Sequence, residues 1–217
     1  MFRIKPINIS ILLLLFINAK AQTKMDLIPG EYYLTGVREM ASGFWLKPDS
    51  SFEFFFSYGA LDRAGKGHWR VDDEGNVVLN SGTRHPADFK LISSVKKTSP
   101  GVRFKVAGTN PMVLQHVVFR MHTPAGDIDK TTNSHGEVIF PAGKYKEIQV
   151  LFELCPDRFS VISLPDGDFN EYTVQIEEWI TEVYCQNLRL KPEDGKLTGG
   201  HPLMAGTEYS YRKQGQQ

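Results

Sequence analysis

The sequence predicts an all-β protein, an antiparallel meander followed by a β-sandwich, and three observations carry that expectation. From Glu31 onward, short segments alternate apolar and polar residues with a period of two, as strands with one buried face do. Turn residues punctuate the chain about every 8–12 positions. No long segment holds the 3.6-residue period of an amphipathic helix.

The 217-residue chain opens with a segment of a different kind. Arg3 and Lys5 precede an unbroken apolar run from Ile11 to Ile17, and Ala19-Lys20-Ala21 stands before Gln22. These are the charged, apolar and small-residue parts of a secretory signal peptide, and the run is far short of the roughly 18 apolar residues that span a bilayer. Residues 1–21 are therefore expected to be cleaved and the remainder exported, to a periplasmic or secreted space. Gln22 in place of a cysteine argues against a bacterial lipid anchor. The one Asn-x-Ser acceptor, Asn8-Ile9-Ser10, falls inside the leader, which favours a bacterial export route.

The first domain is expected over 22–110. Tyr32 to Val37 and Gly43 to Lys47 read as strands, the second leading into the turn residues Pro48-Asp49-Ser50. Phe52, Phe54, Phe56 and Tyr58 then share one face of the clearest strand, with Glu53, Phe55 and Ser57 on the other. Gly67 to Val71 and Asn76 to Asn80 follow, joined by Asp72-Asp73-Glu74-Gly75, and Ala87 to Ser93 and Arg103 to Ala107 complete a meander. Gly108-Thr109-Asn110-Pro111 is the expected boundary, because Gly and Pro punctuate it and a new alternating series begins beyond it. In the second domain, 111–212, Val117, Phe119 and Met121 alternate with His116, Val118, Arg120 and His122. Tyr172, Val174 and Ile176 alternate with Thr173, Gln175 and Glu177. With Val138 to Phe140, Glu147 to Leu154, Phe159 to Leu164, Thr181 to Leu190 and Glu208 to Arg212, the strand density suits a two-sheet sandwich. Residues 213–217 are polar and are expected to fray.

Composition narrows the function. The chain has 25 basic and 25 acidic residues, and the leader removes Arg3, Lys5 and Lys20, which leaves a mildly acidic protein with interspersed charges. That is not the footprint of a nucleic-acid binder. Two cysteines, Cys155 and Cys185, remain in a compartment where disulfides persist. Counted along their strands, Cys155 shares a face with Gln149 and Glu153, and Cys185 with Asn187 and Arg189, so a bridge between the two is expected in preference to two buried thiols. It would add about 3.5 kcal/mol in the chain-entropy model.

Two resemblances add to this reading. Gly30-Glu31-Tyr32, Ser42-Gly43-Phe44-Trp45-Leu46, the Phe52 to Phe56 strand and Tyr58-Gly59-Ala60-Leu61-Asp62-Arg63 resemble the opening of a lipocalin-like family of exported bacterial proteins. The resemblance implies a barrel and no particular activity. Val117 to Leu154, with its Thr131-Thr132-Asn133-Ser134-His135-Gly136 turn and Phe140-Pro141, resembles transthyretin-like and carboxypeptidase-regulatory modules, which implies a non-catalytic Ig-like sandwich.

The candidate site is the Tyr58 to Arg63 turn, where a phenol, the Asp62 carboxylate and the Arg63 guanidinium follow a strand otherwise committed to phenylalanine. In a barrel it would stand at the mouth, with Arg38, Glu39 and His68 as further ligand-binding candidates. The alternative is an architectural turn whose charges satisfy backbone groups. Phe44, Trp45, Trp69 and the Phe52 to Phe56 set either line a cavity or fill the barrel. Asp166 to Glu177 imitates a calcium-loop spacing, yet Glu171 stands where that loop needs glycine, so a Pro165-Asp166-Gly167 turn is the better account. His116 and His122 lie about 20 Å apart along one strand, too far to share a metal ion. No catalytic, phosphate-binding or metal-binding motif occurs, and no cofactor or metal is expected. The expected function is an exported, non-catalytic binding protein for a small apolar or mixed ligand, with a protein partner on the sandwich. A structural component of the cell envelope is the alternative, and an enzyme comes third.

Overall fold

A computed structural model describes residues 28–215. The expected leader and Gln22 lie outside the described residues, as do the last two residues of the tail. The chain is all-β and divides into two compact units, one made of the chain up to Thr83 and again from Glu182, the other of Arg84–Thr181.

The first unit begins with five strands, β1 (Gly30–Thr35), β2 (Met40–Leu46), β3 (Ser51–Tyr58), β4 (Leu61–Val71) and β5 (Val77–Asn80). Local chemistry makes its turns. Asp49 accepts hydrogen bonds from the Ser51 amide and hydroxyl between β2 and β3, and Asp72 accepts from the amides of Glu74 and Asn76 between β4 and β5. β4 is longer than the expected strand. It starts at Leu61, directly opposite Tyr58, so the β3–β4 turn is Gly59-Ala60 and both Asp62 and Arg63 are strand residues.

At Arg84 the chain leaves for the second unit, which holds β6 (Phe89–Val95), β7 (Val102–Val106), the single turn of helix α1 (Pro111–Leu114), β8 (Val117–Thr123), β9 (Gly126–Thr131), β10 (Glu137–Phe140), β11 (Glu147–Phe152), β12 (Cys155–Ser163) and β13 (Glu171–Ile176). They form two four-stranded sheets, β10-β7-β13-β6 and β12-β11-β8-β9. The sheets pack as a sandwich through Phe104 of β7, whose ring lies 5.3 Å from Phe119 of β8 and 5.2 Å from Tyr172 of β13. The ends of this unit are tied together. Arg158 of β12 makes a bidentate pair with the buried Asp88 carboxylate at 2.6 and 2.8 Å, Ser160 Oγ accepts from the Asp88 amide, and the Trp179 indole donates to the Ala87 carbonyl.

The chain re-enters the first unit with β14 (Glu182–Val183), β15 (Leu188–Glu193), β16 (Lys196–Gly199) and β17 (Tyr209–Lys213). Antiparallel pairing then runs β4-β3-β2-β1-β17-β16-β15-β5 and returns from β5 to β4, which closes an eight-stranded barrel. β5 reaches only residues 68–71 of β4, and β14 continues that seam by pairing in parallel with Ala64 and Gly65. Two glycines permit the close approach, since a Cβ at Gly65 would stand 2.4 Å from the Val183 carbonyl oxygen and one at Gly67 2.2 Å from that of Asn80.

The inward faces of the barrel supply one core, with Phe44, Leu46, Phe52, Phe54, Trp69, Leu79, Leu190, Leu197 and Tyr211 all buried, and the rings of Phe44 and Tyr211 meeting edge to face at 5.0 Å. Of the two readings open for the aromatic set, filling is the one observed for Phe44, Phe52, Phe54, Phe56 and Trp69. Trp45 and Phe55 have the opposite parity and face outward, Trp45 at 45% exposure.

Three expectations need correction. Gly108 to Pro111 does not divide two domains. It links β7 to β8 inside the inserted unit, with Asn110 Oδ1 capping α1 by accepting from the Met112 amide, because β6 and β7 pair with β13, far along the chain, and not with the barrel. The barrel is completed instead by residues 188–213. The tail does not begin at Lys213, which ends β17 and donates its amide to the Gly195 carbonyl, and Gln214 donates to Glu31. Cys155 and Cys185 do not form a bridge; both are buried thiols, one in the inserted unit and one in the barrel core. The parity count failed for a local reason in each case. A two-residue turn, Glu153-Leu154, intervenes before Cys155 pairs with Phe152. Cys185 lies in the irregular link between β14 and β15, fixed by backbone and side-chain hydrogen bonds with Ser81.

Candidate functional site

The barrel has one end where the β1–β2 and β3–β4 links and the β16–β17 loop meet, and five of the six candidate residues, all but His68, lie there. Tyr58 ends β3 with inward parity and stands half exposed at the rim. Arg38 and Glu39 are exposed in the β1–β2 link, where Glu39 has φ 65°. Arg63 turns into the barrel, is only 5% exposed, and donates from Nη2 to the Glu182 carbonyl at 3.2 Å. Asp62, at this same end, and His68 do not turn inward with Arg63. Both occupy the outer face of β4, and His68 sits opposite Ser51 and Asn80 toward the other end. The period of two that places Arg63 inside necessarily places Asp62 and His68 outside.

Two residues absent from the sequence-derived site belong to it. Ser42 and Arg63 both stand opposite Phe56, so one inward row reads Ser42–Phe56–Arg63 across β2, β3 and β4. His201, 6% exposed, comes down from the β16–β17 loop, with its ring 5.6 Å from Phe54, 5.9 Å from Phe56 and 5.6 Å from Tyr209. Among the described residues, Ser42, Arg63 and His201 are the buried polar side chains of the barrel, apart from its tyrosines, tryptophan and cysteine, and they share this end. Ser42 had a detectable signal, because Phe44 and Leu46, its neighbours of like parity, are both apolar. His201 had none, since loop residues follow no period.

Hydrogen bonds fix the tautomer of His201. The Leu203 amide donates to Nδ1 at 3.0 Å, so the proton is on Nε2, which donates to Ser42 Oγ at 3.0 Å, and the Ser42 hydroxyl in turn donates to the Phe55 carbonyl at 3.0 Å. Burial lowers the imidazole pKa to about 4, raises the Cys185 thiol to about 12 and raises the Tyr211 phenol. The direction of the chain matters for chemistry. A serine nucleophile needs a lone pair on the imidazole nitrogen facing its hydroxyl. Here that nitrogen carries the proton, so His201 holds Ser42 in place and does not activate it.

Several polar groups that the sequence singles out are engaged with neighbours. Asp168, in the calcium-like spacing, pairs with Lys96 at 2.9 Å; Asn170 binds the 97–101 loop through both ends of its amide; His116 meets Glu153 and His122 meets Asp127. No group of three or more His, Cys, Asp or Glu among the described residues is placed to hold a metal ion. No helix among them is long and apolar enough to cross a membrane. Comparison with known proteins returns no match: no family model fits the chain, and no curated protein or solved structure is significantly similar to it.

Proposed function

We propose that the chain is an exported, non-catalytic binding protein that takes a small molecule of mixed apolar and polar character at the polar end of its barrel. One observation carries this reading: an interior otherwise committed to apolar side chains gathers Ser42, Arg63 and His201 at a single end, beneath a half-exposed Tyr58. A guanidinium held in place by the Glu182 backbone at the inner rim of an apolar barrel is a group an acidic or carbonyl head can meet. A ligand with an apolar body and an acidic or carbonyl head would meet Phe56 and Tyr58 with the first and Arg63 with the second. The tripartite character of residues 1–21 supports export, and N-terminal sequencing of protein from its native source should begin at Gln22.

The packed interior favours a second reading, a scaffold of the cell envelope with a partner on the sandwich and no small ligand. Native mass spectrometry of the purified protein separates the two. A retained small molecule that is lost on Arg63→Met, with the fold intact by circular dichroism, supports the ligand. The scaffold reading gains if no mass is retained and no medium-chain fatty acid or fatty amide raises the unfolding temperature.

A further inference from the structure

The β16–β17 loop, Gly200 to Glu208, carries the densest set of anchors at the polar end of the barrel. Leu203 packs on the core, the Tyr211 hydroxyl donates to the Gly200 carbonyl and the Tyr209 hydroxyl to Ala205. His201 is the loop's own buried polar side chain. Its imidazole lies among Phe54 and Phe56 of β3 and Tyr209 and Tyr211 of β17, and its two nitrogens join the loop to the barrel wall, Nδ1 accepting from the loop's own Leu203 and Nε2 donating to Ser42 of β2. Gly199 precedes the loop at φ 159° and Gly206 lies within it at φ 119°. Residues 205–208 are exposed.

We propose that this loop is a stopper for the polar end of the barrel, latched by neutral His201 and released by acid. The latch fails on protonation for a geometric reason. The second proton must go on Nδ1, which faces the Leu203 N–H, so two donors would confront each other where one bond had held the loop. Among the described residues, the groups set against the ring are aromatic or neutral, and burial alone lowers its pKa. β2 presents Ser42, β3 presents Phe54 and Phe56 with Tyr58 at the rim, and β17 presents Tyr209 and Tyr211 as phenols. β4 adds the Arg63 cation in the Ser42 row, Cys185 is a buried thiol, and the carboxylate of Glu182 is taken by the Tyr184 hydroxyl. The charged imidazole regains water only by leaving its aromatic surroundings, and the loop leaves with it. Release would uncover Phe56, the neighbour of Arg63 in the same inward row. That consequence rests on the ligand reading above, whereas the release itself does not.

Hydrogen exchange on the full chain without ligand tests the release. Protection of residues 200–208, corrected for intrinsic rates, should fall about a hundredfold between pH 6.5 and about 4, while β7 and β11 of the inserted unit stay protected. His201→Gln keeps an acceptor for Leu203 and a donor for Ser42 but cannot take the proton, so its loop should stay closed over the same range. Carbon NMR of the wild-type histidines provides a check independent of that variant folding, since the His201 ring should protonate in step with loss of the Leu203 amide bond. A wild-type loop that stays protected at pH 4, a Gln variant that opens like the wild type, or a His201 that protonates with the Leu203 bond intact would each overturn the stopper. Because no ligand is present, failure here leaves the binding reading standing, and failure to find a ligand leaves the stopper standing.

Discussion

Arg63 and His201 carry opposite consequences at the scale of the residue. Removing the Arg63 side chain by Arg63→Ala opens a cavity beside Phe56 and leaves the Glu182 carbonyl short of a donor, which should cost about 2–4 kcal/mol, while Arg63→Met restores the volume and should cost about half of that. Chemical denaturation of both variants checks the ordering. Burial of His201 instead ties stability to pH. Its folded pKa is depressed to about 4 from 6.5, so the group favours the native state fully above pH 6.5, and this contribution is lost as pH falls from 6.5 toward 4. It is worth on the order of 3 kcal/mol, and urea midpoints for wild type and His201→Gln should converge as the pH drops through that window. The two cysteines make a third test. With Cys185 held in the barrel core and its pKa at about 12, a thiol reagent should find little in the native protein and two thiols after unfolding, and a reductant should leave the melting temperature unchanged.

Elements show which parts of the fold were legible in the sequence. β3 is legible in the sequence because Phe52, Phe54 and Phe56 fill a core while Glu53 and Ser57 face out, so the pleat is written into the side chains. β4 is legible only over its second half, for an equally physical reason. Its inward positions at 65 and 67 are glycines, which carry no hydrophobic signal, yet they are glycines because the backbones of Val183 and Asn80 pass where a side chain would stand. Arg63, the next inward position, then looked like part of a polar turn. His201 and the β14 seam were invisible altogether, since both depend on chain that returns after the inserted unit. The seam makes a sharp prediction. Gly67→Ala places a methyl group 2.2 Å from the Asn80 carbonyl oxygen and should destabilise the barrel by about 3 kcal/mol, whereas Gly82→Ala, which meets no atom within 4 Å, should change stability by less than about 0.5 kcal/mol.

For the whole molecule, the correct count of β-rich units and the wrong division between them have one source. Alternation and turns reveal strands, but only pairing assigns a strand to a unit, and the strands that close this barrel lie on both sides of an inserted sandwich. The two placements predict different behaviour for fragments. A fragment ending at residue 110 would hold β1 to β5 without β15 to β17, leaving both β1 and β5 as unpaired edges over an open apolar face, and it should aggregate. Removing Arg84–Thr181 and joining Thr83 to Glu182 through a few glycines should behave otherwise. The outgoing and returning chains are already neighbours in the barrel: Ser81 donates to the Cys185 carbonyl, Cys185 donates to Ser81 Oγ, and Asn187 donates to Asn80 Oδ1. A short link between them therefore closes the same eight strands. The excised 84–181 segment has its own core around Phe104 and Phe119 and its own clasp of Asp88 with Arg158, so it too should fold alone. Size exclusion and thermal unfolding decide the matter, with two soluble, cooperatively unfolding pieces expected from a cut at 84 and 181. A soluble, cooperative 28–110 fragment would instead place the division where the glycine and proline punctuation suggested it.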